Sequence, residues 1–415
     1  MSAPPPDTVV VVGAGQAGAG AALALRDAGF GGRIVLIGEE TAVPYQRPPL
    51  SKAFLKSGVD MDGLHLRHPD VYAQRRIELR LGQRAESIDR ERRRVILAGG
   101  EAIGYGHLIL ATGLRHRVLA VPGADLRGVV SLRTIEEAES MRGQLAAART
   151  LVAIGAGFIG LEVAATAAGM GVRTGIVDVA ARVLGRAASP VVSAHLAELH
   201  GRAGTSLHLG RSVAAIVGEG GRARAVRLDD GTELAADLVV VGIGAVPQTA
   251  LAEAAGLAVA DGIVVDARLR TSDPAISAVG DCARFPCRYA AASADGRVRL
   301  ESVQNAADQA RCVAAGLAGR PQDYAAVPWF WSDQFGIRLQ IAGLTAGADD
   351  AVVHGEPACG AFSVHLFKAD RWLGVESVNR SADHMAARRL LASGRAPTRE
   401  HLARADFDLK AFAAA

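Results

Sequence analysis

The chain has 415 residues, and its 46 Lys and Arg residues against 43 Asp and Glu residues give a formal net charge of only +3 at pH 7. At about 150 residues per domain this length indicates two or three domains, whereas the small net charge and the aromatic content of 4% argue against a nucleic-acid-binding protein. Glycine is abundant, with 48 residues and no collagen-like period, which indicates many backbone positions that need a left-handed conformation or a close approach to a ligand.

The cysteines and the first residues limit the class of protein further. All four cysteines lie in the last third of the chain, at Cys282, Cys287, Cys312 and Cys359. No Cys-x-x-Cys pair occurs, so the sequence predicts neither a structural zinc site nor a redox-active dithiol, and it favours a reducing cytoplasm. Segment 1–7 carries no Lys or Arg, which is unlike the start of a secretory signal.

The first chemical signal is a β-branched run, Val9–Val12, followed by Gly13-x-Gly15-x-x-Gly18 and an Ala-rich helical segment. In this strand, turn and helix, Gly13 makes the turn, Gly15 lets the backbone approach a pyrophosphate, and Gly18 lets the helix meet the strand. Glu39 lies 21 residues after Gly18, at the end of the next apolar run, where a carboxylate binds ribose hydroxyls. The segment predicts a dinucleotide site.

The same pattern recurs about 140 residues later, which predicts a second dinucleotide site. Leu151–Ile154 reads as a strand, Gly155-x-Gly157-x-x-Gly160 as the turn, and the following apolar segment as a helix. Apolar runs that end in glycine also occur at 108–113, 238–244 and 278–281. Strand ends of this kind are where an open α/β sheet binds its ligands.

An acidic residue suggests which nucleotide the second site prefers. Asp178 lies 18 residues after Gly160, at the end of a predicted strand. A carboxylate there hydrogen-bonds an unmodified ribose and repels a 2′-phosphate, so we expect NADH rather than NADPH. Arg182 and Arg186 follow closely, and each is placed to moderate that preference.

The pattern changes near Pro328 to alternating strands and then to an amphipathic helix near Asp383–Leu391. We therefore predict an α/β protein with two Rossmann-like dinucleotide-binding domains and a smaller C-terminal α+β domain. The predicted boundaries are 1–115 together with 245–325 for the first domain, 116–244 for the second, and 326–415 for the third.

Four longer segments are more specific than the glycine loops. The segments are Pro44–Lys52, Gly157–Ala164, Glu301–Ala306 and Pro328–Gln334. Together they resemble the FAD-dependent NADH:ferredoxin reductases of bacterial oxygenase systems, including the related rubredoxin reductases, over about residues 9–391. The resemblance implies a glutathione-reductase-like fold.

The resemblance implies that the first site holds FAD and that the second holds NADH. Within the FAD set it places Glu39 and Ala17 at the adenosine half, Ala85 at the adenine, and Asp281 at the ribitol. The residues implied for FAD are Gly13, Gly15, Gln16, Ala17, Glu39, Arg47, Lys52, Ala85, Ala111, Thr112, Gly113, Arg133, Gly280, Asp281 and Val303. Those implied for NADH are Gly155, Gly157, Phe158, Ile159, Gly160, Asp178, Arg186 and Gly244.

The resemblance also implies four residues that assist the reaction. Lys52 and Glu162 are expected to form an ion pair beside flavin N5 and the nicotinamide, because a buried Lys needs a carboxylate partner. Val303 is expected to begin a helix whose positive end stabilises charge on the reduced flavin. Trp331 and Trp329 share a face if their segment is extended, and Trp331 is expected to lie at the outer edge of the flavin.

The implied activity is electron transfer from NADH through FAD to a [2Fe–2S] ferredoxin that supplies a cytochrome P450 or a dioxygenase. The ferredoxin is an acidic, transient partner, so we expect it to dock on a basic face that includes Arg67 or Arg311. Neither a nucleic acid nor a membrane is an expected partner.

Proteins with similar nucleotide-binding motifs can have other activities, which other features of the sequence distinguish. Disulfide reductases and NADH peroxidases on this scaffold need a redox cysteine in the N-terminal region, where this chain has none before Cys282. A membrane-surface NADH:quinone reductase needs an apolar C-terminal anchor, and Arg399–Lys410 is rich in charge. In an apoptosis-inducing-factor-like protein, flavin reduction switches an interaction surface; such a protein reacts slowly with NADH.

Overall fold

The computed structural model describes residues 6–404 and 406–414. The strands are β1 (Thr8–Val12), β2 (Arg33–Ile37), β3 (Ile77–Arg80), β4 (Ala85–Asp89), β5 (Arg94–Leu97), β6 (Ala102–Gly104), β7 (His107–Leu110), β8 (Leu114–His116), β9 (Val129–Val130), β10 (Thr150–Ile154), β11 (Arg173–Asp178), β12 (Ser206–Leu209), β13 (Val213–Glu219), β14 (Arg222–Leu228), β15 (Glu233–Ala235), β16 (Leu238–Val241), β17 (Ala245–Pro247), β18 (Ile263–Val264), β19 (Ile276–Ala278), β20 (Ala283–Pro286), β21 (Arg297–Arg299), β22 (Trp329–Gln334), β23 (Ile337–Gly343), β24 (Asp350–Glu356), β25 (Ala361–Lys368) and β26 (Arg371–Val378). The helices are α1 (Gln16–Asp27), α2 (Met61–Leu64), α3 (Pro69–Gln74), α4 (Ile135–Leu145), α5 (Phe158–Ala168), α6 (Pro190–Arg202), α7 (Ala250–Ala254), α8 (Val303–Leu317), α9 (Ser381–Ser393), α10 (Arg399–Ala403) and α11 (Leu409–Ala414).

The chain forms two compact units. The first unit comprises residues 1–46, 61–115 and 246–328, and the second comprises residues 47–60, 116–245 and 329–415. Segment 47–60 and the C-terminal residues from 329 onward therefore belong to the same unit as the second glycine loop. The division into three domains stays a prediction.

The first unit is built on a parallel five-stranded sheet in the order β19-β7-β1-β2-β3. Its central strand β1 is a run of valines that are almost fully buried, as expected for a strand covered on both faces. Helix α1 packs on α8, and all its buried residues except Leu25 are alanine or glycine, which allows the two backbones to come close. The smaller sheets β4-β5-β6 and β18-β20-β21 complete the unit.

The second unit repeats this design with a parallel sheet in the order β12-β11-β10-β16-β9. The antiparallel sheet β13-β14-β15 lies in the chain between β12 and β16 of the parallel sheet. A second antiparallel sheet, β22-β23-β26-β25-β24, is formed by the C-terminal region. Its buried side chains, such as Leu339 and Phe362, share one hydrophobic cluster with Leu161 and Val163 of α5. The C-terminal sheet and the second glycine-loop helix thus stabilise each other.

Three buried histidines make the stability of this fold depend on pH. Burial lowers the pKa of His107, His365 and His384 to about 4. An exposed histidine in the unfolded chain has a pKa near 6.5, so between these values the unfolded state binds protons that the folded state does not. The free energy of unfolding is therefore expected to fall as the pH falls from about 6.5 to about 4.

The change His365→Leu tests this expectation. Both ring nitrogens of His365 are buried without a hydrogen-bond partner in the described part of the chain, so an apolar replacement leaves no polar group unpaired. We expect the drop in the free energy of unfolding between pH 7 and pH 4.5 to shrink by roughly 2 kcal/mol, measured by denaturant titration at both pH values. The partly exposed His208 serves as the control in His208→Asn; equal drops in both variants and the parent would contradict the prediction.

Candidate active site

The glycine loop of the first unit lies at the carboxyl edge of its parallel sheet. Gly13 follows β1 directly, and Ala111 follows β7. Gly13 has a φ of +108°, and a Cβ there would come within 2.1 Å of the Ala111 carbonyl oxygen. A Cβ on Gly18 would lie 1.8 Å from the Gly13 carbonyl oxygen. These two glycines are therefore required by the packing of the loop itself.

Gly15 differs from both neighbours because no other atom of the described residues lies within 4 Å of the position of its Cβ. It is the N-cap of α1, and it provides no side-chain cap for the free N–H groups of the first helical turn. That turn also has no acidic residue. Open space in front of uncapped N–H groups is the arrangement that binds a phosphate, so these residues fit the pyrophosphate of FAD.

The residues predicted at the adenosine half lie near this loop. Glu39 is exposed just beyond β2, and its carboxylate lies 3.9 Å from the Arg84 guanidinium. The backbone N–H of Gln83 donates to the Gly38 carbonyl, which holds the segment before Ala85 beside the end of β2. The structure therefore brings Glu39 and Ala85 into one region of the first unit.

A second group of predicted FAD residues follows β7 and β19. The backbone N–H of Gly280 donates to the buried Gln309 side chain at 2.7 Å, which anchors the turn that carries Asp281. Thr112 and Gln248 exchange two hydrogen bonds: the Thr112 hydroxyl donates to the Gln248 carbonyl at 2.6 Å, and the Gln248 amide donates to the Thr112 carbonyl at 3.0 Å. These contacts fix the backbone at both strand ends.

Helix α8 begins at Val303, as the sequence predicts. The Ser302 side chain caps it by accepting from the N–H of Asn305 at 3.0 Å. The Asn305 amide donates to the Leu300 carbonyl, and the Tyr324 hydroxyl donates to Asn305. The start of α8 is thus held rigidly by polar contacts within the first unit.

The second glycine loop reproduces the geometry of the first. Gly155 has a φ of +107°, and its Cβ would lie 2.4 Å from the Gly242 carbonyl oxygen. At Gly157 the only described atom within 4 Å of a Cβ is that same carbonyl oxygen, at 4.0 Å. Helix α5 begins without a side-chain cap or an acidic first turn, and Ile159 in this turn is 41% exposed. These residues fit the pyrophosphate of a second dinucleotide.

Asp178 has a structural role that the sequence did not reveal. One carboxylate oxygen accepts from the N–H of Ala156, inside the glycine loop, at 2.6 Å. The other accepts from the N–H of Ala180 at 2.7 Å. Each oxygen keeps a further lone pair for a ribose hydroxyl. Asp178 therefore joins the glycine loop to the loop that follows β11 and still has the capacity to bind a ribose.

The two arginines after Asp178 differ in their surroundings. The Arg182 guanidinium donates to the carbonyls of Ala188 at 2.6 Å and of Gly185 at 2.7 Å, so it is occupied in shaping its own loop. Arg186 is exposed. Of the two, Arg186 is the one available to a nucleotide phosphate.

The Ser189 end of the same loop is held by a buried carboxylate of the C-terminal sheet. Both oxygens of Glu376 accept from the N–H of Ser189, at 2.9 and 3.1 Å, and one also accepts from the Thr345 hydroxyl at 3.2 Å. Burial raises the pKa of Glu376, which is completely inaccessible to solvent. Glu376 therefore couples strand β26 to the start of α6.

Lys52 and Glu162 form the predicted ion pair. The Lys52 ammonium lies 2.5 Å from Glu162 Oε2, and the side chains are 23% and 4% exposed. The Ser51 hydroxyl donates to the same oxygen at 2.6 Å, and the Ser332 hydroxyl donates to Glu162 Oε1 at 2.6 Å. The buried charge thus has a cation and two hydroxyl donors, which compensates the loss of water.

The remaining predicted residues of the second unit are Arg47, Arg133, Trp331 and Gly244. Arg47 donates to the backbone carbonyl of Arg133 at 2.5 Å. The rings of Trp329 and Trp331 lie 5.6 Å apart, which confirms that both tryptophans share one face of β22. Gly244 has a φ of +99° and follows β16, the neighbour of β10.

The cysteines do not provide a reactive thiolate. Burial raises the pKa of the Cys312 thiol to about 11, and burial also raises the pKa of Cys282 and Cys287. At Cys359 a hydrogen bond to Glu356 raises the thiol pKa. Because a thiolate is the reactive form, these environments oppose thiol-based catalysis.

A family model described as pyridine nucleotide-disulphide oxidoreductase matches residues 7–310, and one described as reductase C-terminal matches residues 329–413. The chain belongs to the pyridine nucleotide-disulphide oxidoreductase family. It is an oxidoreductase that uses FAD and NAD(H). The predicted α/β fold with two Rossmann-like units is confirmed.

The most similar proteins include ferredoxin reductases. The chain is 51% identical over 403 residues to rhodocoxin reductase of Rhodococcus erythropolis, which covers 97% of this chain and 93% of that protein. The ferredoxin reductase for the CYP199A2 system of Rhodopseudomonas palustris is 49% identical in sequence. Its crystal structure matches this one with a TM-score of 0.94, over 98% of this chain and all of the other. Putidaredoxin reductase, solved in a covalent complex with putidaredoxin, is 43% identical, with a TM-score of 0.93 over 98% of both chains. The resemblance seen in the motifs is confirmed.

Two further features of the structure concern membrane-spanning helices and metal sites. No helix within residues 6–404 and 406–414 is long and apolar enough to cross a bilayer. The same residues contain no cluster of three or more metal-ligating side chains.

Sequence reasoning missed several residues that support the site. Gln309, which holds Gly280, and Glu376 lie outside the motifs and gave no signal. Ser51 and Ser332 lie inside two of the family segments, but a serine in a motif does not show which distant carboxylate it meets.

Three glycine variants test whether the loops bind nucleotides. Gly15→Ala is expected to fold, because its added Cβ meets no described atom, yet to be purified with several-fold less FAD per chain. Gly157→Ala is expected to keep its FAD but to raise the KM for NADH about tenfold, since each lost backbone contact is worth on the order of 1 kcal/mol. Absorbance at 450 nm and steady-state kinetics measure these quantities. Gly13→Ala is the control, expected to lower the thermal midpoint; full FAD content in Gly15→Ala would refute the assignment.

The change Asp178→Asn tests nucleotide preference. Removing the negative charge is expected to lower the ratio of kcat/KM for NADH to that for NADPH about tenfold. The KM for NADH is expected to rise, because an amide has only one oxygen for the two N–H groups that Asp178 now holds. Asp230→Asn, at an exposed ion pair of the same unit, is the control. An unchanged ratio would show that another residue sets the preference.

Proposed function

We propose that this oxidoreductase transfers electrons from NADH through bound FAD to a [2Fe–2S] ferredoxin, which supplies a cytochrome P450 or a ring-hydroxylating dioxygenase. The similarity over nearly the whole chain to rhodocoxin reductase and to the reductase of the CYP199A2 system supports this acceptor. The observation that carries the proposal is the pair of uncapped glycine-loop helices, one in each unit.

The chemistry balances without a thiol. NADH releases two electrons and one proton, and two ferredoxins each accept one electron. FAD, when bound, supplies the step from a two-electron donor to one-electron acceptors. The raised thiol pKa values at all four cysteines support this acceptor over a disulfide or a peroxide.

Each predicted residue then has a physical task. Gly15 and the start of α1 bind the FAD pyrophosphate, and Glu39 binds its ribose. Gly157, the start of α5 and Asp178 bind NADH. Lys52 and Glu162 orient the reacting nicotinamide and balance the charge that changes there. Trp331 shields the ring system from water.

A basic surface for the ferredoxin belongs to the same proposal. Arg67 is exposed, and its guanidinium donates to its neighbouring carbonyl at Leu66. Arg311 forms an ion pair with Asp308, which partly neutralises its charge. We therefore favour Arg67 over Arg311 as a docking residue.

The free cysteines and the use of NADH support a cytoplasmic location.

The test is anaerobic reduction of the purified protein by NADH, followed by titration with a [2Fe–2S] ferredoxin. We expect the flavin absorbance at 450 nm to disappear with NADH and to return as the ferredoxin is reduced, at two ferredoxins per NADH. The rate is expected to fall as salt rises, because the partner is acidic. Efficient transfer to a quinone with none to the ferredoxin would favour the quinone reductase; slow reduction by NADH and a long-lived NAD complex would favour the redox-switched interaction protein.

A further inference from the structure

Within the second unit, a buried hydrogen-bond chain leads away from the ion pair of Lys52 and Glu162. Ser332 donates to Glu162 Oε1 at 2.6 Å, Gln334 Nε2 donates to Ser332 Oγ at 3.1 Å, and Gln334 Oε1 lies 3.0 Å from His200 Nε2. Ser332, Gln334 and His200 are 1%, 4% and 0% exposed. The chain therefore has no access to water as an alternative partner.

The direction of each hydrogen bond follows from the carboxylate. An ionised carboxylate only accepts, so the single O–H of Ser332 must point to Glu162. Ser332 Oγ then accepts, which requires the amide nitrogen of Gln334 on that side. The Gln334 oxygen consequently faces His200, which must donate through Nε2–H. All three donors point towards Glu162, and aligned dipoles of this kind strengthen one another.

The strand geometry explains how the chain is assembled. Ser332 and Gln334 are two residues apart in β22, so both point to the same face. Phe330 belongs to this face as well, and its ring packs on Phe158 of α5 at 4.4 Å. Burial lowers the pKa of His200, which agrees with a neutral ring that donates from Nε2.

The two oxygens of Glu162 are held by different partners. Oε2 accepts from Lys52 and Ser51, and Oε1 accepts from Ser332. Lys52 is the most exposed member of the cluster and the one that a bound nicotinamide would disturb. The bond from Ser332 fixes the carboxylate plane independently of Lys52.

We propose that Ser332, Gln334 and His200 are positioning residues that hold Glu162 in the orientation needed to place the Lys52 ammonium during hydride transfer from NADH. This inference rests on the role proposed above for Lys52 and Glu162. It does not depend on the identity of the electron acceptor. The chain acts through Glu162, and none of its three residues is among those implied for binding FAD or NADH.

The C-terminal sheet offers a matched control for a test. Ser363 is fully buried in β25, and its hydroxyl donates to Asp383 Oδ2 at 2.7 Å. Asp383 is paired with Arg380 at 2.7 Å. This serine, carboxylate and cation are the same kinds of group as Ser332, Glu162 and Lys52. None of the three is predicted to bind a nucleotide.

The experiment compares the holoprotein variants Ser332→Ala, Ser332→Thr and Ser363→Ala with the parent. Anaerobic stopped-flow mixing with NADH gives the limiting rate of flavin reduction and the apparent Kd for NADH. Spectroelectrochemistry gives the flavin midpoint potential, and thermal unfolding gives stability.

For Ser332→Ala we expect the limiting rate to fall about tenfold, since a hydrogen bond to a charged group is lost, with the Kd for NADH within twofold of the parent and a shifted flavin potential. Ser332→Thr keeps the hydroxyl and is expected to restore the rate to within about threefold. Ser363→Ala is expected to lower the thermal midpoint without changing the rate or the potential. Equal rates in the two alanine variants would overturn the proposal, as would no rescue in a Ser332→Thr variant whose thermal midpoint equals that of the parent.

A second variant keeps the proposal testable if threonine does not fit the buried site. Gln334→Leu removes the donor to Ser332 but leaves the serine itself, so we expect a smaller loss of rate, about threefold, again at unchanged Kd. No loss of rate in Gln334→Leu would overturn the part played by Gln334 and His200. Because every readout concerns reduction by NADH, failure to reduce any ferredoxin would refute the proposed acceptor without affecting this result.

Discussion

The structure depends on the close approach of backbone to backbone at the carboxyl ends of its two parallel sheets. Gly13 and Gly155 adopt almost the same left-handed φ, +108° and +107°, and each packs against the carbonyl of the residue that follows a neighbouring strand. A side chain at either position would push the helix away from the strand. In each unit, this tight turn places the first turn of a helix, with its free N–H groups, at the carboxyl edge of the parallel sheet. The residues that follow the other strands lie at the same edge.

The second unit faces a further constraint, because it buries carboxylates. Glu162, Glu376 and Asp383 all lie in or beside its core, and each has a different compensation. Asp383 has an arginine and one hydroxyl donor, Glu162 has a lysine and two hydroxyl donors, and Glu376 accepts from a backbone N–H and a hydroxyl. Burial accordingly raises the pKa of Glu376. Glu162 and Glu376 tie the C-terminal sheet to the two segments proposed to bind NADH, α5 and the loop after β11, which explains why residues from 329 onward belong to this unit.

The sequence predicts the elements that depend on residues close together in the chain. The valines of β1, the glycine loops, the start of α8 at Val303 and the shared face of Trp329 and Trp331 all follow from periodicity or turn chemistry within a few residues. The ion pair of Lys52 and Glu162 followed from a family resemblance and not from the residues alone. Its remaining partners could not be found, because Ser51 and Ser332 reach Glu162 across 111 and 170 residues of chain. Hydrogen bonds over such separations depend on tertiary packing, which no pattern along the chain records.

The two acids proposed to bind ribose, Glu39 and Asp178, differ in how strongly each is tied to its glycine loop. Glu39 lies beyond the end of β2 and is exposed, and its ion-pair partner, Arg84, lies 3.9 Å from its carboxylate. Asp178 is the last residue of β11 and holds two backbone N–H groups, one of them inside the glycine loop. A shorter side chain at the strand end reaches the loop, whereas a longer one placed further on points outward. If Asp178 binds the NADH ribose as proposed, the same carboxylate both recognises the nucleotide and holds the glycine loop, so a substitution that changes nucleotide preference also changes the loop. Within residues 6–404 and 406–414, no hydrogen bond joins Glu39 to the first glycine loop, so Glu39 can be altered at little cost to the fold.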